Sequence, residues 1–400
     1  MSPPAAPVDA LTGVEAAELG LYIHFPFCLA KCPYCDFAVQ VADVIPEERY
    51  TRAILAELAQ RALPGRTLDS IFFGGGTPSL WHPRWVGKVL DAVQGAFRVS
   101  PRAEVSLEAN PETLTVERLT DLRAAGVNRL SLGVQSFDAA VLKTLGRAHA
   151  PAQAEAAVQA ARAAGFENLS LDLIHGVPGQ TVERAVQDAE RAMALEVTHC
   201  SAYALTVEAD ALAEPTPFSR RHQRGELGLP ADDDSVASAD AMGDVFRSQG
   251  LVRYEISNFA RPGFSSRHNA LYWTGGEYLA LGVGATGMLK RGVREGLRTV
   301  NLRSTERYLE AVEAGRLPTA TEEPLTAHEL FEERLAMGLR LVSGVDVQRV
   351  SARFGESWDA RRVEETGRMV ENGLAVWWGE RLALTPRGMH LHSEVCARLF

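Results

Sequence analysis

Short apolar segments alternate with longer amphipathic segments over the first half of this 400-residue chain. Six of the apolar segments are predicted to be strands: Leu21–Phe25, Ser70–Phe73, Glu104–Glu108, Arg129–Gly133, Asn168–Ile174 and Cys200–Leu205. Between them lie five predicted helices: Glu47–Leu63, Pro83–Ala96, Val116–Ala125, Pro151–Ala164 and Val182–Leu195. Strands that alternate with helices of this length build parallel sheets. The pattern therefore predicts an α/β fold of six βα units, either an open sheet or an incomplete barrel.

The pattern changes after Leu205. Residues Glu208–Asp234 are rich in proline and charge and are predicted to form a long loop. A helix (Ser235–Ser248), a strand (Arg253–Phe259) and a glycine-rich run (Gly275–Gly287) follow, and Arg316–Leu325 is predicted to be a linker.

The C-terminal segment, Thr326–Phe400, has the pattern of three helices, a hairpin (Leu374–Trp378 and Leu382–Leu384) and a terminal helix. This order is typical of a small winged-helix-like α+β domain. We expect four parts: a flexible tail at 1–18, a core domain at 19–250, a segment covering the core at 251–315 and a C-terminal domain at 316–400.

Charge and hydropathy exclude several classes of protein. The net charge is −10 at pH 7, and the C-terminal segment holds ten arginines against eleven acidic residues, whereas nucleic-acid-binding proteins are normally basic. No apolar run reaches the roughly 18 residues of a membrane span, and the N-terminus lacks the pattern of a signal peptide. We therefore expect a cytoplasmic protein with no nucleic-acid partner and no stable membrane insertion.

Three of the five cysteines, Cys28, Cys32 and Cys35, follow the first predicted strand within eight positions. Thiolates at such short spacing bind iron–sulfur clusters, and three of them leave one iron of a four-iron cluster open to another ligand. A zinc site would need a fourth ligand, for which His24 and Asp36 are the nearest candidates. Three reduced thiols without metal are the remaining interpretation, and the isolated Cys200 and Cys396 are expected to be small core residues.

Polar residues also follow the later strands. The turn Gly74–Pro78 comes after the second strand, where glycines let the backbone approach a ligand closely and exposed N–H groups can bind a carboxylate. Glu108, Gln135, Arg147 and Asp172 come at or after the ends of strands three to five. Each of them alone could be a polar loop cap. Four at the same end of a sheet indicate a binding site.

The spacing Cys28-x3-Cys32-x2-Cys35 after a first strand resembles that of the radical S-adenosylmethionine superfamily. The resemblance implies a partial (β/α)6 TIM-like barrel, a 4Fe-4S cluster on the three cysteines, and S-adenosylmethionine on its open iron, where electron transfer cleaves it to a 5′-deoxyadenosyl radical. The turn Gly74–Pro78 is similar to the superfamily segment that holds the amino group of S-adenosylmethionine. By position, the resemblance assigns S-adenosylmethionine contacts to Tyr22, Tyr34, Gly75, Gly76, Thr77, Glu108, Gln135, Arg147, Asp172 and, more weakly, Ala204.

A closer similarity joins the chain to the oxygen-independent coproporphyrinogen III oxidase group and its heme-chaperone branch. It rests on the segments YIHFPFCLAKCPYCDF, FFGGGTPSLW, SLEANPETL, RLSLGVQSF, LGRAH, LDLIHGVPGQT, YEISNFARPG, SSRHNALYW and LTPRG. The oxidase has a fourth cysteine where Phe37 stands, and a longer segment before its cysteines than the 27 residues here. Both departures favour the chaperone branch.

The stretch His268–Trp273 (HNALYW) is similar to a motif of the chaperone group. It offers an imidazole that could ligate heme iron beside two aromatic rings that could stack on a porphyrin. The alternative for His268 is a hydrogen-bonded loop histidine. His175 stands where relatives often have tyrosine and is left unassigned, and the remaining histidines, among them His199, are expected to have no special role.

The leading interpretation is a heme chaperone that binds a 4Fe-4S cluster, S-adenosylmethionine and heme and delivers heme to an acceptor protein. One alternative is a coproporphyrinogen III dehydrogenase that decarboxylates propionates to vinyl groups, with Arg220, Arg221 and Arg224 as candidate carboxylate ligands, although a solvated charge run explains these arginines better. Another alternative is a non-enzymatic heme-binding module with a structural cluster. The oligomeric state, the acceptor and the cleavage of S-adenosylmethionine stay open.

Overall fold

The computed structural model describes residues 19–208 and 214–400; the predicted tail at 1–18 lies outside them. The first part of the chain contains eight strands: β1 (Leu19–Phe25), β2 (Phe27–Cys28), β3 (Gln40–Val41), β4 (Thr67–Gly75), β5 (Arg98–Ala109), β6 (Arg129–Gln135), β7 (Asn168–His175) and β8 (His199–Ala204). Its helices are α1 (Glu47–Arg61), α2 (Pro83–Ala96), α3 (Val116–Ala124), α4 (Ala139–Thr144), α5 (Pro151–Ala163) and α6 (Val182–Ala194), with 3-10 turns at Pro78–Leu80 and Pro111–Thr113. All six predicted strands and five predicted helices are present.

The middle of the chain adds helices α7 (Pro217–Gln223), α8 (Asp232–Ser248), α9 (Arg267–Thr274) and α10 (Thr305–Glu313). It also adds strands β9 (Val252–Arg253), β10 (Asn258–Ala260), β11 (Glu277–Leu281), β12 (Thr286–Lys290), β13 (Gly296–Asn301) and β14 (Thr319–Leu325). The C-terminal segment contains α11 (Ala327–Gly338), β15 (Val345–Asp346), α12 (Val347–Phe354), α13 (Ala360–Glu371), β16 (Ala375–Trp378), β17 (Arg381–Leu384), α14 (Pro386–His390) and α15 (His392–Leu399).

One twelve-stranded sheet organises the molecule, in the order β14-β13-β12-β11-β1-β4-β5-β6-β7-β8-β10-β9. The strands from β11 to β8 in this order are all parallel, and the strands outside them are antiparallel to their neighbours. The sheet does not close on itself, because β14 and β9 are its two ends. The predicted α/β fold with an incomplete barrel is confirmed.

Alternation along the strands separates a hydrophobic layer from a polar interior. In β1, Leu21 and Ile23 belong to the main hydrophobic core, whereas Tyr22 and His24 line an internal cavity. In β6, Leu130 and Leu132 likewise pack in this core, and the neighbouring residues point into the cavity. Successive side chains of a strand point to opposite faces of a sheet. The helices therefore cover the apolar face, and the polar face lines the interior.

Several predictions for the second half of the chain are wrong in detail. The predicted loop at 208–234 contains α7 and the start of α8, and its residues 209–213 lie outside the described ranges. The predicted strand Arg253–Phe259 is two short antiparallel strands, β9 and β10. The predicted linker contains β14, which pairs with β13 at the sheet edge. Edge strands commonly carry charge and proline, so the TATEEPL sequence of β14 reads like a loop.

The C-terminal segment has its own hydrophobic cluster, which includes Phe331, Leu335, Leu382 and Leu399. Strands β16 and β17 form the predicted hairpin, and β15 pairs with β17. Met288 of the large sheet belongs to the same cluster, so the C-terminal segment packs directly on the barrel. None of the helices in the described residues is both long and apolar enough to span a bilayer.

Candidate functional site

A cavity of about 790 Å³ occupies the interior of the incomplete barrel. Every residue that the sequence assigns to a site lines it: Tyr22, Cys28, Cys32, Tyr34, Cys35, Gly75, Gly76, Thr77, Glu108, Gln135, Arg147, Asp172, Ala204 and His268. These residues come from strands, loops and one helix, and Tyr22 and His268 are about 250 positions apart in the sequence. The fold thus brings all fourteen predicted residues to one site.

The three cysteines lie on the segment that begins at the end of β2. Cys28 is buried, and Cys32 and Cys35 are half-buried. The Thr77 hydroxyl donates to Cys28 Sγ at 3.5 Å, and Arg147 Nη1 donates to Cys32 Sγ at 3.6 Å. Hydrogen-bond donors to sulfur are typical of iron–sulfur sites, where they stabilise the thiolate ligands.

A single-ion site does not fit these cysteines. Among the described residues, no three His, Cys, Asp or Glu side chains converge so that they could hold one metal ion. His24 is engaged elsewhere, because its Nδ1 lies 3.0 Å from the Tyr22 hydroxyl and its Nε2 lies 2.8 Å from the Ala38 carbonyl oxygen. A cubane cluster binds each thiolate on a different iron and needs no such convergence. The donor set therefore fits a four-iron cluster better than zinc.

The turn after β4 requires glycine for steric reasons. Gly75 has φ +115°, and a Cβ atom added there would lie 2.5 Å from the imidazole of His24. A Cβ atom on Gly76 would lie 2.7 Å from the carbonyl oxygen of Phe27. The backbone N–H groups donate within the protein: Gly75 to Glu108 Oε2, Gly76 to Phe25 and Thr77 to Phe27. One of the three N–H groups thus binds a carboxylate of the chain itself, that of Glu108, and the other two bind backbone carbonyl oxygens.

Glu108 and Asp172 are two of the acidic residues that line the cavity. Burial raises the pKa of Glu108 to about 8, and the charge of Asp172 raises it too, while the Gly75 N–H and Arg129 oppose the shift. Burial also raises the pKa of Asp172, although the Ser131 hydroxyl donates to both of its carboxylate oxygens at 3.1 and 3.0 Å. A bound cation would lower both pKa values by favouring the charged forms.

Arg147 joins the cysteine segment to the strands. Its Nη2 donates to Asn110 Oδ1 at 2.7 Å and to the Gly133 carbonyl at 2.9 Å, in addition to the Cys32 contact. Its buried Nε has no hydrogen-bond partner within the part of the chain that the structure describes. Buried donors are normally paired, so this atom points to a ligand with acceptor oxygens.

Gln135 lies at an irregularity in the sheet. It is one of two non-glycine residues with positive φ in the described ranges, at +66°, and the register between β6 and β7 shifts just before it. A non-glycine residue in this conformation is uncommon and clusters at functional sites. The bulge directs the Gln135 side chain to the cavity.

His268 lies on helix α9 and not on a loop. It is 1% exposed, with Nδ1 2.9 Å from Ser70 Oγ and Nε2 2.8 Å from the Tyr272 hydroxyl. Burial lowers the pKa of His268 to about 3, so the imidazole is neutral. Glu104 accepts hydrogen bonds from the backbone N–H groups of Arg267 and His268, which fixes the start of the helix.

The cavity lining also contains residues that were not predicted, among them Asn110, Arg129, His199 and Tyr203. Arg129 is 2% exposed and lies 3.9 Å from Glu104, and its Nε has no hydrogen-bond partner among the described residues. The His199 ring lies between Ser170 Oγ at 2.7 Å and the Tyr254 hydroxyl at 2.9 Å. Core-facing and cavity-facing residues alternate along β6 and β8, and this alternation could have identified Arg129, His199 and Tyr203 from the sequence.

Other residues considered from the sequence lie elsewhere. Arg220, Arg221 and Arg224 are exposed and do not line the cavity, and Arg224 pairs with Glu226. They are a solvated charge run, and this removes the proposed basic contacts of a coproporphyrinogen pocket. His175 is buried outside the cavity lining, and Phe37 lines the cavity mouth while 56% exposed.

Comparison with known proteins identifies two families. Residues 22–192 match the Radical SAM superfamily, and residues 325–391 match the HemN C-terminal domain. The chain is 39% identical to the heme chaperone HemW of Mycobacterium tuberculosis H37Rv, with 98% of each chain covered. It is 34% identical to the Bacillus subtilis heme chaperone HemW, over 94% of this chain and 97% of that one.

Among solved structures, coproporphyrinogen III oxidase (HemN) from Escherichia coli, described as a radical SAM enzyme, superposes with a TM-score of 0.81. The superposition covers 98% of this chain and 92% of the HemN chain, and the two sequences are 22% identical. At that identity the likeness establishes the shared fold and not the reaction.

Proposed function

Because this chain belongs to the HemW heme-chaperone family of the radical SAM superfamily, we propose that it binds heme and passes it to an acceptor protein. The observation that carries the proposal is the similarity to heme chaperones along almost the whole chain. The single cavity that gathers the cysteines, the polar strand ends and the HNALYW helix supports it. Phe37, which stands where the oxidase has its fourth cysteine, argues against the dehydrogenase alternative.

Cys28, Cys32 and Cys35 would hold the 4Fe-4S cluster. When bound, such a cluster supplies an electron to S-adenosylmethionine on its open iron. The protein's own part is to fix and shield the cysteines. Thr77 and Arg147 donate to two of the three sulfurs, and Arg147 also bonds to the ends of β5 and β6, so it keeps the cysteine segment against the barrel.

S-adenosylmethionine would lie against the polar strand ends. The Nε of Arg147, which has no partner among the described residues, could donate to the carboxylate of S-adenosylmethionine. The carboxyl groups of Glu108 and Asp172 could accept hydrogen bonds from its ammonium group and hydroxyls. The walls of the S-adenosylmethionine site would be completed by Tyr22, Tyr34, Gly75, Gly76, Thr77, Gln135 and Ala204. Glycine at 75 and 76 lets this wall pack closely against His24 and the Phe27 carbonyl oxygen.

His268 would be the iron ligand of heme. Its imidazole is neutral and lines the cavity, as ligation requires. In the structure Nε2 lies next to the Tyr272 hydroxyl, so ligation through Nε2 requires the tyrosine to give up this contact. Tyr272 therefore controls access to the imidazole.

The test is an anaerobic titration of the reconstituted full-length protein with hemin, followed by the Soret absorbance, in the presence of S-adenosylmethionine and a reductant. We expect tight binding that falls at least about tenfold in His268→Ala, the loss of one strong contact, and stays unchanged in His328→Ala, whose side chain is 54% exposed. A parallel incubation with coproporphyrinogen III is expected to give no vinyl-bearing product. Absence of hemin binding, or formation of that product, would overturn the proposal.

A further inference from the structure

A second pocket, of about 220 Å³, lies between the barrel and the C-terminal segment. Its walls come from α9, from β11 and β12, and from α11 and α12. Tyr272 and Tyr278 line both this second pocket and the main cavity. Their rings meet edge to face with centroids 4.6 Å apart, so this tyrosine pair is the wall between the two spaces.

Part of the lining of the second pocket suits a flat apolar ring. It includes Tyr272, Trp273, Met288, Met337 and Phe354. Aromatic rings stack on other π systems, and methionine adapts to large polarizable ligands. Two of these residues belong to the HNALYW stretch, so the helix that presents His268 to the main cavity presents Trp273 to the second pocket.

Cationic residues also line the second pocket: Lys290 of β12, Arg334 of α11 and Arg353 of α12, together with one acidic residue, Glu333. Lys290 Nζ donates to the Gly275 carbonyl at 2.7 Å and Arg334 Nη1 to the Trp273 carbonyl at 3.0 Å, which holds both cations at the pocket. Glu333 already pairs with Arg298 at 2.6 Å. Burial lowers the pKa of Lys290 to about 8, and the charges of Arg353, Arg334 and Arg66 add to this while Glu277 opposes it. Neighbouring positive charges repel one another, and a bound anion would relieve this repulsion. The second pocket therefore suits an anionic ligand.

We propose that the second pocket binds the propionate-bearing edge of heme, with Lys290, Arg334 and Arg353 as carboxylate partners. The inference rests on the proposed function and adds a site to it. The pocket is smaller than a porphyrin, so it holds one edge of the ring. Because the tyrosine pair separates the edge site from the main cavity, displacement of Tyr272 would join the second pocket to His268.

The experiment compares hemin with hemin dimethyl ester, which keeps the ring and iron but lacks the carboxylates. Both are titrated into the full-length, anaerobically reconstituted protein. We expect the wild type to prefer hemin by about tenfold or more, because a hydrogen bond to a charged group contributes this much. In the double variant Lys290→Met/Arg353→Ala, hemin affinity falls by at least the same factor and the preference for hemin disappears.

The matched control is Arg291→Met/Arg349→Ala, which removes two charges from neighbouring positions that do not line the pocket. It is expected to keep wild-type affinity and preference. If the double variant does not fold, as judged by circular dichroism and iron content, Arg353→Ala alone serves, since Arg353 is exposed. The single variant is expected to reduce the preference for hemin severalfold.

The outcomes separate the two proposals. A wild type that binds hemin and its diester equally, or a pocket variant that keeps the preference, would overturn the edge site and leave the chaperone proposal intact. A wild type that binds neither probe would overturn the chaperone proposal itself. Equal loss in the pocket variant and the control would show a general charge effect and would also overturn the edge site.

Discussion

His268 Nε2 lies 2.8 Å from the hydroxyl oxygen of Tyr272, one helical turn further along α9. Residues four apart on a helix are surface neighbours, so the HNALYW spacing places the imidazole and the phenol on one face. The same Tyr272 ring contacts Tyr278 and separates the two pockets. One side chain thus both occupies Nε2 of His268 and forms part of the wall between the two pockets.

Tyr272→Phe tests whether Nε2 is the ligand atom. The variant keeps the aromatic wall but removes the group that occupies Nε2. If His268 ligates iron through Nε2, hemin affinity in a Soret titration should equal or exceed that of the wild type, whereas His268→Ala loses at least about tenfold. Equal losses in both variants would instead assign His268 the role of positioning the tyrosine hydroxyl.

Gly75→Ala should destabilise the protein by roughly 2–4 kcal/mol, because its Cβ would meet His24 at 2.5 Å and its φ is positive. Urea denaturation measures the loss, and S-adenosylmethionine binding should weaken with it. Gly65→Ala is the control, since Gly65 also has positive φ but an added Cβ meets nothing within 4 Å. That variant should lose only about 1 kcal/mol, and equal losses would contradict a steric role for Gly75.

Glu108→Gln should change how stability depends on pH. Burial, with the Asp172 charge, raises the pKa of Glu108 to about 8 from an ordinary value of 4.5. The folded protein therefore binds this proton more tightly than the unfolded chain, and the stabilisation is complete below pH 4.5 and lost as the pH rises to about 8. The variant cannot ionise there, so its unfolding free energy relative to the wild type should increase between pH 5 and pH 8.5.

Urea denaturation of the protein without cluster or S-adenosylmethionine measures this difference at pH 5, 7 and 8.5. The exposed Glu117 provides the control, and Glu117→Gln should show no such trend. A constant difference between Glu108→Gln and the wild type over this range would contradict the raised pKa.

Arg147→Lys should impair both the cluster and the cofactor site. The guanidinium contacts Cys32, Asn110 and the Gly133 carbonyl together, and a single ammonium group cannot reproduce this geometry. We expect reduced iron and sulfide content after reconstitution and S-adenosylmethionine affinity lower by about tenfold or more. Arg184→Lys, at a side chain 43% exposed, should leave both unchanged. Wild-type iron content and affinity in Arg147→Lys would refute this role.

The first half of the fold was accessible from sequence because its signals are local. In β1 the core-facing Leu21 and Ile23 alternate with the cavity-facing Tyr22 and His24, and this period is visible without knowledge of any partner strand. The cysteine spacing is likewise local. By contrast, β14 looks like a linker, because its strand character depends on pairing with β13 and its edge position tolerates charge.

The βα units, the cysteine segment and the glycine turn can be predicted from the sequence alone, because each depends on residues within a few positions of one another. Which polar residues meet depends on the packing of distant segments. Arg129 and His199 enter the cavity because β6, β7 and β8 are neighbours. The second pocket exists because α11 and α12 pack on strands more than 35 positions earlier in the chain. Such contacts depend on long-range packing, which no local period encodes.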